Sequence, residues 1–246
     1  MFHFFERKVF LADYLHGLVD IHNHILPGID DGAKTVEDSI NLIKAFSEFG
    51  VTSFICTPHI MHHYYPNTPS TIKKAFDILK TELTLQGLTD IKVHYAAEHM
   101  IDENFENILE AEAVLPLNNE YILIEMSYLQ PSLSFGGAIQ KIARKSLFPI
   151  LAHPERYAYY HNTFGVYESF KSKGISFQLN ILSLGGYYGP EIQKVALSLL
   201  KAGYIDFISS DAHHITHISQ IKEIRIRKST LNLLLPIIEN TILNFY

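Results

Sequence analysis

The chain has 246 residues, 47% of them hydrophobic, and a formal net charge of −6 with histidines neutral. That is enough apolar material for one large domain, and no basic block is present to form a nucleic-acid groove, which works by neutralising phosphates. A single cysteine, Cys56, excludes an intramolecular disulfide, and no segment approaches the roughly 20 apolar residues of a spanning helix.

The opening "MFHFFERKVFLADYLHG" does not read as a signal peptide, because Glu6, Arg7 and Lys8 break its apolar run. A cytoplasmic protein is expected. "MFHFF" is read as folding back onto the domain, with a peripheral membrane or partner anchor as the alternative. Seven short apolar runs then read as strands: "LVDIHNH" (18–24), "VTSFICTPH" (51–59), "IKVHYAAEH" (91–99), "YILIEMS" (121–127), "FPILAHP" (148–154), "ISFQLN" (175–180) and "IDFISSDAH" (205–213). Their near-continuous apolar character suits parallel strands buried on both faces.

Helical patterns lie between them. Thr35 and Asp38 form an approximate capping box ahead of Val36, Ile40, Ile43 and Phe46, with Gly50 closing that helix. Pro190 opens another, which stops at Gly203. Segments 70–86, 102–112, 133–146 and 163–173 are further helices. The run 219–245 is largely helical, bent or broken at Pro236. This alternation predicts a single α/β domain over 1–246. An extension, 1–18, precedes a TIM-like barrel with seven units, distorted or incomplete, and C-terminal helices.

The strand ends carry the chemistry. His22 and His24, two apart, share a strand face. With 14 histidines in the chain about one His-x-His arises by chance, so the pair needs partners. Asp30 and Asp31 follow it. His59, Glu98, Glu125, His153 and Asn180 end the next strands, and Asp211 and His213 end the last. An active site at the C-terminal face of parallel strands explains why so many ends carry metal-ligand residue types. Nine such residues (His22, His24, Asp31, His59, Glu98, Glu125, His153, Asp211 and His213) exceed the needs of one ion. They point to two or three divalent metals sharing a carboxylate. Mixed His and carboxylate donors without thiolate suit Mn, Zn or Fe.

"DIHNHILPGIDDG", "TPH", "AAEHMID", "LIEMS", "LAHPERY" and "SSDAH", in this order from residue 20 to 213, resemble the polymerase-and-histidinol-phosphatase (PHP) superfamily. Within it the chain is most similar to the bacterial tyrosine-protein phosphatases of capsule and exopolysaccharide synthesis. The resemblance implies a distorted (β/α)7 barrel, the PHP fold, with a trinuclear site, often manganese, although Fe, Zn or Mg also serve. His22, His24, Glu98 and Asp211 would hold the first metal. Glu98 would bridge to a second, held also by Glu125 and His153, and Asp31, His59 and His213 would hold the third. Arg156 would grip the phosphate. The implied reaction is attack of a metal-bridging hydroxide on the phosphorus of a phosphotyrosyl protein, a bacterial tyrosine kinase of polysaccharide export being one such partner. A homo-oligomer is an open expectation.

Other readings remain at this stage. A cysteine phosphatase needs an arginine six positions after its cysteine, where this chain has His62, and Cys56 reads instead as a small buried hydrophobe. Tyrosines in "HHYYPN" (62–67), "RYAYYH" (156–161) and "GGYYG" (185–189) form either an aromatic slot for phosphotyrosine or ordinary packing and subunit contacts. His62, His63, His94, His99, His161, His214 and His217 read as surface or packed residues. The rival functions are a PHP histidinol-phosphate phosphatase, a PHP nuclease, for which a basic surface is lacking, and a non-catalytic metal-binding partner of a polysaccharide assembly complex.

Overall fold

A computed structural model describes residues 7–118 and 120–246; the "MFHFF" segment lies outside the described residues. In chain order the strands are β1 (Lys8–Phe10), β2 (Val19–Asp20), β3 (Ser53–Cys56), β4 (His59–Ile60), β5 (Lys92–Tyr95), β6 (Glu98–Met100), β7 (Tyr121–Glu125), β8 (Phe148–Ala152), β9 (Ser176–Asn180), β10 (Phe207–Ser209) and β11 (Arg225–Arg227). The helices are α1 (Val36–Ser47), α2 (Pro69–Leu85), α3 (Phe105–Glu110), α4 (Phe135–Arg144), α5 (Gly165–Ser172), α6 (Ile181–Gly185), α7 (Pro190–Lys201), α8 (Ile215–Glu223) and α9 (Lys228–Phe245).

Local chemistry accounts for several of these ends. The capping box of α1 is present: the Thr35 side chain accepts from Asp38 N–H, and the Asp38 carboxylate accepts from Thr35 N–H. α9 runs through Pro236 without a break. Pro236 and Asn232 both face solvent, where the carbonyl that the ring deprives of its partner meets water. The expected helix over 219–245 is interrupted instead by β11, which pairs antiparallel with β1 and ties down the extension. Leu11 and Leu15 are buried beside it.

The fold is α/β with parallel strands, but among the described residues the strands do not close into one sheet. Six of them run in the order β10-β9-β8-β7-β6-β4, and three in the order β2-β3-β5. Two expected strands have split. The 51–59 run divides at Thr57-Pro58, where proline offers no ladder donor, and Thr57 N–H turns to Asn23 O at 3.0 Å. The 91–99 run divides at Ala96-Ala97, and Ala97 N–H turns to Leu115 O. Each half then pairs in a different sheet. The first strand keeps only Val19–Asp20, and beyond it a single parallel bridge joins Asn23 to Ala212.

The two sheets face one another. A small apolar cluster takes Val19 and Ile55 from one sheet and Leu123, Ile150 and Phe207 from the other, with Phe245 of α9 packed against it. Buried Asp20 clasps β2 to the end of β10, since the Ser209 and Ser210 hydroxyls and Ser210 N–H all donate to it. Strand C-termini from both sheets therefore gather at one end. Among the described residues no helix is long and apolar enough to cross a membrane.

Candidate metal centre

The gathered ends place all nine expected ligand residues together. His22 and His24 follow β2 with their Nε2 atoms 3.4 Å apart. Asp211 Oδ1 lies 3.3 Å from each of them, and Glu98 Oε2 lies 3.2 Å from the first and 3.6 Å from the second. Glu98 Oε2 is also 3.0 Å from His59 Nδ1, which is 2.9 Å from Glu125 Oε1. Glu98 Oε1 meets His153 Nε2 at 3.1 Å. On the other side Asp31 Oδ1 lies 3.5 Å from both His59 Nε2 and His213 Nε2. The grouping differs in detail from the one the resemblance implies. His59 turns one nitrogen to each side, and its Nδ1 joins Glu98 and Glu125, while His153 groups with His22 and Glu98.

These atoms suit cations. Glu98 Oε2, Glu125 Oε1 and His59 Nδ1 are buried and close, yet none is in hydrogen-bond geometry with a partner. Buried polar atoms in proteins are ordinarily paired, so donors aimed at a common point fit a metal better than they fit each other. The imidazoles are set for the same purpose. His22 Nδ1–H donates to Gln178 Oε1 (2.8 Å), His24 Nδ1–H to Asp30 Oδ2 (2.8 Å) and His213 Nδ1–H to Asp211 O (3.0 Å). Each partner accepts only, so each Nε2 keeps its lone pair for a ligand.

Charge and backbone agree. Burial disfavours an ionised Glu98, but His22 and His59 outweigh it and hold the carboxyl well below the usual range. Burial opposes ionisation of Asp211 likewise, and His22 and His24 outweigh it. His153 and Asp211 both sit in the left-handed region, at φ +34° and +50°, a strained choice for residues with side chains. Gly32 is required by contact: a Cβ there would lie 2.0 Å from His24 O.

A cavity of about 850 Å³ opens over the cluster, lined by Asp31, His59, Glu98, Glu125, His153, Asp211 and His213. Arg156 lines it too. Its Nη1–H donates to Asp211 Oδ2 at 2.6 Å, and its guanidinium lies between the rings of Tyr128 (4.7 Å) and Tyr188 (4.3 Å). Asn180 Nδ2–H donates to the same Asp211 oxygen at 2.9 Å, and buried Glu155 accepts from Asn180 N–H.

Of the tyrosines in the tyrosine-rich segments, only Tyr64 and Tyr65 of "HHYYPN" line the cavity. Tyr157 of "RYAYYH" is wholly buried, its hydroxyl accepting from Met126 N–H, and Tyr159 donates to Ser127 O. Tyr157 is core, and Tyr159 packs against it partly buried. Of "GGYYG", Tyr188 supports Arg156. Cys56 is buried among apolar groups, and burial pushes its thiol up, away from a reactive thiolate. Exposed His62, His63 and Glu103 also lie within ligand reach of one another at the cavity rim.

Sequence reasoning named Asp30 without giving it a role and did not single out Gln178 or Tyr128. Gln178 did leave a signal, a polar residue two before Asn180, between apolar Phe177 and Leu179. Asp30 and Asp31 are indistinguishable as letters, and only the fold turns one inward to His24 and the other toward His59 and His213.

In this α/β protein, ligand-type side chains that could hold a metal ion converge where parallel strands end. An amidohydrolase from Mycoplasma synoviae shares the fold, with a TM-score of 0.55 at 10% identity over 97% of this chain and 91% of that one. The chain belongs to the capsular polysaccharide synthesis CpsB/CapC family, whose model matches residues 18–225. It is 32% identical over 201 residues to the tyrosine-protein phosphatase YwqE of Bacillus subtilis (strain 168), covering 80% of this chain and 78% of that one. It is 27% identical to the tyrosine-protein phosphatase CpsB of Streptococcus agalactiae over 80% of this chain and 84% of that one. A solved structure from work on YwqE of Bacillus subtilis and CpsB of Streptococcus pneumoniae, described as unique metal-dependent tyrosine phosphatases, matches with a TM-score of 0.81. Its identity is 29%, over 92% of this chain and 93% of that one.

Proposed function

We propose that this protein is a metal-dependent phosphatase that removes phosphate from tyrosine in proteins, in the service of capsule or exopolysaccharide synthesis. The observation that carries the reading is the convergence of nine ligand-type side chains, with buried unpaired oxygens on Glu98 and Glu125, seven of them lining a cavity that also bears Arg156. The names of its relatives support the same activity. His22, His24, Asp31, His59, Glu98, Glu125, His153, Asp211 and His213 would hold two or three divalent metals, manganese first, since the donors are nitrogen and oxygen without thiolate. Bound there, such ions supply Lewis acidity that activates water at neutral pH and neutralises phosphoryl charge.

The chain's own groups do the rest. Asp211 Oδ1 faces the histidines while Arg156 and Asn180 fix Oδ2, so the carboxylate is held in one orientation. Arg156 is near enough to the cluster to turn its remaining N–H groups to equatorial phosphate oxygens, its planar fork matching two at once. The leaving phenolate has a conjugate acid of pKa near 10, so it departs with less proton help than an alkoxide.

Six carboxylates and one arginine line the cavity, which speaks against a nucleic-acid substrate. The sheets' shared apolar cluster and the Asn23–Ala212 bridge support reading them as two parts of a distorted (β/α)7 barrel. The family's place in capsular polysaccharide synthesis supports a phosphotyrosyl protein of polysaccharide export, a bacterial tyrosine kinase included, as partner, and a cytoplasmic site of action.

The test loads the protein with Mn²⁺, measures metal content, and assays p-nitrophenyl phosphate, a phosphotyrosyl peptide and histidinol phosphate in parallel. Two or three metals per chain with turnover of the phosphotyrosyl peptide is the expected result. A protein that takes up one metal or none, or prefers histidinol phosphate, defeats the proposal.

A further inference from the structure

The segment between β7 and α4 carries a tyrosine whose two ends have different surroundings. The Tyr128 hydroxyl turns inward, 3.2 Å from His153 Nε2, yet the residue remains 43% exposed. The residue lines the cavity. The ring lies over Arg156 and stacks on buried Tyr157 at 5.9 Å and 28°. With its hydroxyl among the ligands and its ring reaching solvent, it runs from the floor of the cavity toward the mouth. A phosphotyrosine entering phosphate first would run the same way.

A second ring stands across the floor. Tyr65 stacks on the His59 imidazole at 5.4 Å and 14°. It is held by a tight turn in which Met61 N–H donates to Tyr65 O and Tyr65 N–H to Met61 O. In the sheet β4, β6, β7 and β8 are successive neighbours. His59 opens the first of these and His153 follows the last, while Glu98 and Glu125 belong to the two between. Tyr65 and Tyr128 thus flank the part of the floor that presents the two carboxylates, and both line the same cavity. Beyond them Leu129 and Leu133, 91% and 104% exposed, also line it, an apolar rim that no fold requirement explains.

We propose that Tyr65 and Tyr128 are the two walls of an aryl subsite, which takes the planar ring of an aryl phosphate while Arg156 holds its phosphoryl group. The proposal deepens the phosphatase reading and rests on it. Aromatic rings pack on another ring offset-stacked or edge to face, so such walls select a planar ring over an aliphatic chain of similar bulk.

The test is calorimetric binding of phenylphosphonate and methylphosphonate to the metal-loaded full chain. The wild type binds the phenyl compound more tightly. Tyr128→Leu and Tyr65→Leu each reduce that preference by about three- to tenfold, the worth of one aromatic pair. Tyr128→Phe retains it, because the ring and not the hydroxyl forms the wall. If Tyr128→Leu weakens both phosphonates alike, the ring merely braces Arg156 and the subsite is wrong. If the wild type binds both phosphonates equally, the subsite falls and the phosphatase reading stands. If it binds neither, the phosphatase reading fails and takes the subsite with it.

Discussion

Arg156→Ala should separate two things that this arginine does. It lines the cavity, where we propose that it donates to phosphate, and it holds Asp211 Oδ2 at 2.6 Å. Loss of a preorganised donor to developing charge costs roughly 10²–10³ in rate, about 3–4 kcal/mol. Loss of a group that orients a metal ligand costs about 10–100-fold in metal affinity. Here the loss should fall near the low end, because Asn180 still donates to the same oxygen. The assay is kcat/KM on a phosphotyrosyl peptide across a Mn²⁺ titration, with metal content measured at each point. At saturating metal the variant should be down about 10²–10³-fold, and its activation curve should shift to higher Mn²⁺ by about tenfold. Arg156→Lys should regain part of the rate, since an ammonium restores charge but not the bidentate fork. Full metal occupancy with near-normal turnover in Arg156→Ala would refute the reasoning, because another residue would then hold the phosphate.

Cys56→Ala should keep activity within a few-fold, as the thiol is buried away from the ligands; a loss near a thousandfold at unchanged metal content would restore a thiol mechanism. Gly32→Ala should push the backbone at His24, since its Cβ has no room there, and should weaken Mn²⁺ binding by at least tenfold in a protein that still folds. Normal Mn²⁺ affinity in that variant would show that the turn yields freely. His99 is buried, its Nδ1–H donating to Leu123 O while its Nε2 accepts from Leu115 N–H, and burial pulls its pKa down to about 4. Its folded pKa is below the unfolded value near 6.5, so its contribution is whole above that value and lost as pH falls through 4. The loss by pH 4 is roughly 3 kcal/mol. Urea unfolding of metal-free wild type should therefore weaken between pH 6.5 and 4 more steeply than that of His99→Gln, and parallel curves would count against the assignment.

The candidate site was legible for a simple reason. Buried parallel strands are apolar throughout, so a polar residue at the end of each stands out, and Glu98, Glu125 and His153 were each found that way. The supports were less visible. Asp20 looks like one more strand polar residue until Ser209 and Ser210 arrive from the far end of the chain. Tyr128 carries no local mark, because its value comes from Arg156 and His153 on another strand end. The split of the second and third strands had one sequence sign, Pro58, and none at Ala96-Ala97, where tertiary pairing alone redirects the backbone. The β1–β11 pair was missed because three-residue strands have too little pattern to read.

The clasp between Asp20 and Ser210 spans 190 positions, and its consequence concerns the order in which the molecule is made. His22 and His24 leave the ribosome early, but Asp211 and His213 come only when most of the chain exists. A nascent or truncated chain ending before β10 has neither the last two ligands nor the serines that bind the first strand in place. Contacts this distant in sequence are slow to form, because the loop must close before any of them stabilises it. The proposed centre is thus among the last parts of the molecule to be completed, and metal taken up there would report a finished chain rather than guide an unfinished one.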